Sequence, residues 1–396
     1  MPWKETHVEE ERMRFVVACR DEEADWTMSE LCEVFGVSRR TGYKWLERYA
    51  VLGLEGLKDQ SRAPKTHPNA LPAAVVERLL ELRRRHRFWG PRKIVAWLRG
   101  QEPVITWPAV STVGDILKRH GLVRPRRHRR RVVALGTGLS EPSRPNDQWG
   151  ADFKGWFRTG DGQRCDPLTI SDSFSRFLLR CRVVERPDEE HTRPVFRSAF
   201  REYGLPLVLR TDNGPPFASR ALGGLTRLSA WWVKLGITLE RIAPGQPQQN
   251  GRHERMHETL KQETARPPRA SACAQQRAFD QFWYLYNFER PHEALGDTPP
   301  AHSYATSPRP YPERAPELEY PGHFEVRRVR TSGEIKWRGE FLYLSQALIG
   351  EPVGLEPISE RHWRMSFGPL PLGLLDDYTG KLLAYSTRTR QGAGVA

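Results

Sequence analysis

A chain of 396 residues with a formal charge of +14 and a pI near 9.8 is long enough for two to four domains with cores of their own. The basic surplus favours a polyanionic partner, nucleic acid before membrane. No apolar run approaches the roughly 18 residues that a membrane span needs, and the opening Met1-Pro2-Trp3-Lys4-Glu5 has no signal-peptide core. Five scattered cysteines without a CxxC pair argue against a disulfide framework and a zinc site, and fit a reducing cytoplasm.

A charged helix is predicted over about residues 5–20, then a short amphipathic helix over 28–35 carrying Leu31, Val34 and Phe35. Gly36-Val37 reads as a turn and Ser38 as the N-cap of a basic helix over 39–49. That is the order of a helix-turn-helix, whose second helix enters the major groove with its N-terminal residues toward base edges. Arg39, Arg40, Thr41 and Lys44 are therefore the DNA-contact candidates, with Trp45 and Leu46 packed inward. A solvated basic face would use the same residue types; the order of elements favours the groove. This module is assigned to residues 1–62.

A second helical module is assigned to 68–123, after a proline-containing stretch at 64–72. Val75, Val76, Leu79, Leu80 and Leu82 form one apolar stripe, and Gly90-Pro91 opens a helix with Ile94, Val95, Trp97 and Leu98. Ser111 is the expected cap of a third helix that Gly121 stops. A plain three-helix bundle has the same pattern as a second helix-turn-helix. Between 124 and 131 there are six arginines in eight positions. Such a block repels itself and displaces counterions along DNA, so residues 124–144 are read as a basic linker, with Arg126, Arg127, Arg129 and Arg130 as nonspecific DNA contacts.

Residues 145–301 alternate strand and helix patterns. Strands are expected at 148–157, 165–172 and 176–184, as an antiparallel meander with a turn at Gly160-Asp161-Gly162. A helix from about Thr192 stops at Gly204; a strand at 207–210, a Trp-rich helix and a strand at 237–242 follow. Asn250-Gly251 starts another helix, and Phe279, Phe282, Trp283, Tyr286 and Phe288 form an aromatic stripe expected to face a core. Seven prolines from Pro299 to Pro321 mark a stiff linker, 302–322. Short strand candidates at 324–330, 334–337, 340–344 and 353–357 fall in a last domain, 323–388.

Three carboxylates carry the chemistry. Asp152 lies in Gln148-Trp149-Gly150-Ala151-Asp152-Phe153, where alternation turns it away from its apolar neighbours. Asp212 follows the apolar run Leu207-Val208-Leu209, at the carboxyl end of a strand where α/β sheets gather ligands. Glu254 opens a helix in which Glu254, His257, Glu258 and Lys261 are expected on one face, with Met256 and Leu260 on the other. Acids about 4–5 Å apart repel by roughly 3–4 kcal/mol at an effective dielectric near 20, so converging acids require a cation. Hard oxygen donors suit Mg²⁺ or Mn²⁺, and two ions can stabilise both oxygens of an in-line displacement at phosphorus. Taken singly, each acid could be a turn former or a cap. The nearby Asp161, Asp166 and Asp172 are set aside, Asp161 as a turn residue and Asp172 as a strand-end residue.

The ordered set resembles the DDE triad of bacterial insertion-sequence transposases and retroviral integrases, and the resemblance covers most of the chain. It implies an RNase H-like α/β core with a mixed sheet, N-terminal all-α helix-turn-helix modules (often paired in bacterial relatives) and a small C-terminal DNA-binding β-barrel. It also implies a basic residue seven positions after the glutamate that contacts DNA, here Lys261, and a closing stretch similar to Tyr286-Asn287-Phe288-Glu289-Arg290-Pro291-His292-Glu293-Ala294-Leu295-Gly296. The His/Cys zinc module of retroviral integrases is missing, and the interval from Asp212 to Glu254 is longer than the family's, with the extra residues assigned to 221–225. The function so implied is a bacterial, nucleoid-associated DNA transposase. It would bind element ends and target duplex as a homo-oligomer, and cleave and join without a covalent protein–DNA link. A nuclease that does not join, and a DNA-binding regulator that keeps the core as scaffold, are the alternatives.

Overall fold

The computed structural model describes residues 8–21, 25–61, 70–123, 139–243 and 246–384. It divides into two compact units, Met1–Pro72 and Ala73–Ala396. In the first, α1 (Val8–Ala18), α2 (Met28–Val34) and α3 (Arg39–Leu52) surround Phe15, Val16, Leu31, Cys32, Val37, Trp45 and Leu57. Sequence signals set the helix starts: Thr27 and Glu30 form a reciprocal capping box on α2, and the Ser38 hydroxyl accepts from the Thr41 amide on α3. Val34 is 66% exposed rather than inward. The stripe that packs is Met28, Leu31, Cys32 and Phe35, the i, i+3, i+4, i+7 set of a two-turn helix, and Val34 falls outside it. Arg12 is buried, donating to the Leu57 carbonyl and Asp59 while its guanidinium lies 3.9 Å over the Trp45 ring.

The second unit begins with α4 (Ala73–Arg85), α5 (Pro91–Gln101) and α6 (Val110–Arg119). Ser111 is not the cap of α6; Ala109 holds that position without a side-chain bond, and Ser111 sits in the first turn. Arg92 of α5 ties this bundle to the segment after the last core helix, 2.9 Å from Asp297 and 2.7 Å from Glu293.

The core sheet is built from β1 (Gln148–Phe153), the two-residue β2 (Phe157–Arg158), β3 (Arg164–Asp172), β4 (Leu178–Val184), β5 (Val208–Thr211) and β6 (Thr238–Arg241). β3 is antiparallel to β1, β2 and β4, whereas β1, β5 and β6 run parallel, so the sheet is mixed. α7 (Glu189–Tyr203) and α8 (Arg227–Lys234) cover one face; α9 (Gly251–Thr264) and α10 (Ala272–Tyr284) cover the other. α7 starts before Thr192, because Asp188 caps it through the His191 amide. The first face is an aromatic core around Trp149, Phe196, Phe200, Phe217, Trp231 and Trp232. On the second, Met256 and Leu260 of α9 meet Cys165, Leu178, Cys181, Phe279, Phe282 and Tyr286. Asn287 is fully buried and bonds both the amide and the carbonyl of Leu178, pinning the end of α10 to β4. Phe288, expected in the core stripe, is 43% exposed.

The proline-rich segment is no free spacer. Tyr304 stacks on Phe177 with ring centroids 4.4 Å apart, Leu205 donates to the Arg309 carbonyl, and Arg309 donates to Leu235 and Gly236. Beyond it, β7 (Glu325–Arg328), β10 (Pro352–Pro357), β11 (His362–Phe367), β12 (Leu370–Asp376) and β13 (Leu382–Ala384) make an antiparallel sheet in the order β13-β12-β11-β10-β7, beside a separate hairpin of β8 (Glu334–Trp337) and β9 (Glu340–Tyr343).

The small closed barrel is therefore corrected to an open sheet plus a hairpin. The apolar faces of the sheet and hairpin are covered from the core: Leu225, Ala230 and Val233 join Ile335, Trp337, Leu355, Met365, Phe367 and Leu372 in one cluster. Lys234 also pairs with Glu351 at 2.9 Å. Residues 223–225, within the stretch between Asp212 and Glu254, pack against this sheet. Gly223, at φ +66°, lies so close to β12 that a Cβ would stand 2.8 Å from Leu372, and Arg241 holds the Gly224 carbonyl. Among the described residues, no helix is long and apolar enough to cross a membrane.

Candidate active site

In the parallel pair β1–β5, Gly150 lies opposite Arg210. Asp152 and Asp212 are each two residues further on, so they stand level at the carboxyl ends of neighbouring strands, which run roughly 4.8 Å apart. Alternation puts Asp152 on the α9 face, opposite Trp149 and Ala151, which are fully buried among the aromatics. Beneath the acids, Arg210 bonds Glu240 at 2.7 Å, Glu240 receives the Gln148 amide at 2.6 Å, and Arg210 reaches the Gln249 carbonyl just before α9. Asp212 accepts from the Gly214 amide, and Asn213 donates to Ile242, tying this strand end to the end of β6.

The electrostatics are those of uncompensated acids. Burial, then repulsion from Asp212, pushes Asp152 up to about 7; the Phe153 amide and Lys154 oppose this, and Glu254 adds a smaller upward push. Burial also raises Asp212, against the Gly214 amide. Two hard-oxygen acids without a full counter-charge are a donor set that fits a divalent cation. Glu254 is exposed in the first turn of α9. Among the described residues, no three His, Cys, Asp or Glu side chains converge as a metal cluster. The two aspartates are thus brought together, and Glu254 stands further off, within electrostatic reach of Asp152.

Two histidines hold α9 to the sheet, one of them expected on the Glu254 face. His253 and His257 are 3% and 4% exposed, and both Nε2 atoms lie 2.6 Å from the Thr169 hydroxyl on β3. The His253 Nδ1 is 3.1 Å from the Ser171 hydroxyl, and the His257 Nδ1 is 3.7 Å from Asp152 Oδ2. His257 therefore belongs to the buried face with Met256 and Leu260, not to the Glu254 face; at i+4 from His253 it shares that residue's side of the helix. Burial lowers His253 to about 3 and His257 well below its ordinary range, so both rings are neutral. Gly150 is what lets α9 approach, since a Cβ there would lie 3.2 Å from His253 Nδ1. Two histidines four apart after Asn-Gly were the available signal.

Lys261 lies two turns beyond Glu254, partly buried and without an ion-pair partner among the described residues. In the N-terminal unit, Arg39, Arg40 and Lys44 are exposed at the start of α3, with the Lys44 amine 4.9 Å over the Trp45 ring. Thr41 is only half exposed, and its hydroxyl is bonded to Ser38 within the cap. Arg126, Arg127, Arg129 and Arg130 lie outside the described residues. Asp172 is structural: it is buried and holds the amides of Asn146 and Ser175.

Comparison with known proteins agrees with this architecture. Homeodomain-like domain models match residues 6–58 and 41–117, and integrase core domain models match 142–247 and 235–300. An insertion element IS476 protein of Xanthomonas euvesicatoria is 30% identical over 249 residues, covering 63% of this chain and 69% of that one. An insertion element IS407 protein of Burkholderia multivorans is 29% identical over 276 residues, 69% of this chain and 93% of that one. Among solved structures, the HTLV-2 integrase catalytic core domain in complex with magnesium matches at 16% identity and a TM-score of 0.31, over 42% of this chain and all of that one. The chain belongs to the DDE transposases of the retroviral-integrase superfamily, the group carried by bacterial insertion sequences. It is a DNA transposase with an integrase core.

Proposed function

We propose that this transposase cleaves the ends of its element and joins the freed 3′-hydroxyls to target DNA, with Asp152, Asp212 and Glu254 as the catalytic acids. The level pair Asp152–Asp212 at the ends of parallel strands carries the reading. These two would hold Mg²⁺ or Mn²⁺, with Glu254 completing the donors when DNA closes on α9. Two such ions supply Lewis-acid stabilisation of the attacking and leaving oxygens at phosphorus. The protein's own part is positional: β1 and β5 fix the two aspartates, α9 carries Glu254, and Lys261 further along the same helix holds a phosphate of the element end. No side-chain nucleophile is needed, so no covalent protein–DNA link forms.

The exposed Arg39, Arg40 and Lys44 at the start of α3 face DNA bases, and the arginines at 126, 127, 129 and 130 track the backbone. Residues 1–62 and 68–123 are the two DNA-binding modules, 145–301 the catalytic core and 323–388 a further DNA-binding domain. Two ends must be cut in concert, so a homo-oligomer on DNA is the working form. The test is strand transfer of a pre-cut end into plasmid by Asp152→Asn: joined product should vanish while end binding in a mobility-shift assay persists. Full joining in that variant sinks the assignment; cleavage without joining by the wild type favours a plain nuclease.

A further inference from the structure

The Thr169 hydroxyl has one proton and three polar neighbours: His253 Nε2 and His257 Nε2 at 2.6 Å, and the Asp152 carbonyl at 3.1 Å. All of them are buried or nearly so. Proton counting leaves few arrangements. If Thr169 donates to the carbonyl, both rings must donate from Nε2, and the His257 Nδ1 lone pair then faces Asp152 Oδ2 at 3.7 Å, lone pair against lone pair. If instead Thr169 donates to His257 Nε2 and accepts from His253 Nε2–H, each short contact holds one proton. His257 then turns an Nδ1–H toward Asp152, and His253 Nδ1 accepts from Ser171 at 3.1 Å. The Asp152 Oδ2 lone pairs beside His257 Nδ1 favour the second arrangement, which turns an N–H rather than a lone pair toward that oxygen, and hydrogen bonds running in one direction polarise one another.

We propose that Ser171, His253, Thr169 and His257 form a directed hydrogen-bond relay that orients the Asp152 carboxylate for the metal ion and locks α9, with Glu254, to β3. The relay rests on the reading of Asp152 as a metal ligand. Thr169, His253 and His257 are positioning residues; none of them is the metal's ligand or the reaction's acid or base. The relay has a geometric logic. β3 carries Thr169 and Ser171 and α9 carries both rings, so the hydrogen bonds join α9 to β3, and the His257 Nδ1–H meets Asp152 of β1 as a polar contact at 3.7 Å. Groups that hold a metal's ligands from behind commonly change affinity by about 10- to 100-fold when removed.

The test uses the full-length chain and Mn²⁺ alone, measured by isothermal titration, with thermal melting in chelator recorded alongside. Thr169→Val keeps the shape and removes the hydroxyl; it should bind Mn²⁺ about 10- to 100-fold more weakly while still melting cooperatively. Thr169→Ser should recover near wild-type affinity, which a simple packing role for the threonine methyl would not allow. His257→Phe, which deletes the last link, should lose affinity as Thr169→Val does. Wild-type Mn²⁺ affinity in both Thr169→Val and His257→Phe, alongside loss in Asp152→Asn, overturns the relay and leaves the metal assignment standing. Undiminished binding in Asp152→Asn overturns the metal assignment itself, and the relay with it.

Discussion

On the α7–α8 side of the central sheet, Trp149 stacks on Phe200, Phe196 meets Trp232, and Phe217 lies between Phe153 and Trp232. On the α9 side the same strands present Gly150, Asp152, Thr169 and Ser171 to two neutral imidazoles. Apolar burial stabilises both faces, at about 25 cal/mol per Å², the second through Met256 and Leu260 packed against α10. The second face also sets partly buried acids beside buried polar groups, which is unfavourable until a cation and DNA supply the missing charge. A strand's two-residue repeat allows both in one sheet: alternate residues of a single strand serve opposite purposes.

The largest effect that tests this contrast is on chemistry. Asp152→Asn or Asp212→Asn should take strand transfer to the assay floor, with end binding in mobility shift unchanged; retained joining would mean the acidic side is scaffold. On the aromatic side, Phe200→Ala should lower unfolding free energy in urea by about 3–5 kcal/mol. A loss under about 1 kcal/mol would show that this face is not where stability resides.

Next is the pH dependence of the metal-free chain. An unfolded aspartate titrates near 3.9, and Asp152 in the fold is pushed up to about 7. The folded state holds the extra proton between those values. Asp152 therefore favours folding fully at about pH 4, and that contribution is lost as pH rises through about 7. Asp152→Asn should then be the more stable protein at pH 7.5, by on the order of 2–4 kcal/mol, with the gap closing near pH 4; saturating Mn²⁺ should narrow it by stabilising the wild type. His253 and His257 act with the opposite sign, favouring the fold above their unfolded value near 6.5 and losing that contribution as pH falls.

Gly150→Ala should push His253 aside, costing about 1–3 kcal/mol in thermal or urea unfolding and weakening Mn²⁺ binding; an unchanged protein would mean that α9 need not sit so close. The smallest change is expected from Lys261→Ala. It should weaken end binding uniformly across sequences and reduce the salt slope of log K by about 1, with no change in unfolding.

Much of the core was legible because its signals are local. Alternation around Asp152, the apolar run before Asp212 and the caps at Thr27 and Ser38 all depend on neighbours within a few residues. The relay was not legible, since Thr169 meets His253 and His257 across 84 and 88 residues. Nothing within the helix tells a buried neutral histidine from an exposed one. The C-terminal barrel failed for a related reason. Short strands can be read one by one, but whether a sheet closes depends on what else covers its apolar face, and here α8 and Leu225 do so.

The sequence alone determined the kinds of elements, the basic character of the chain, the candidate acids with their order, and the family, because composition, periodicity and motif spacing are properties of the chain itself. Tertiary structure decided which acids stand level, which face of α9 is buried, that residues 221–225 are a docking platform, and that two histidines reach the site from behind. Each of these depends on strand register and on surfaces meeting across long stretches of chain, which local periodicity does not encode.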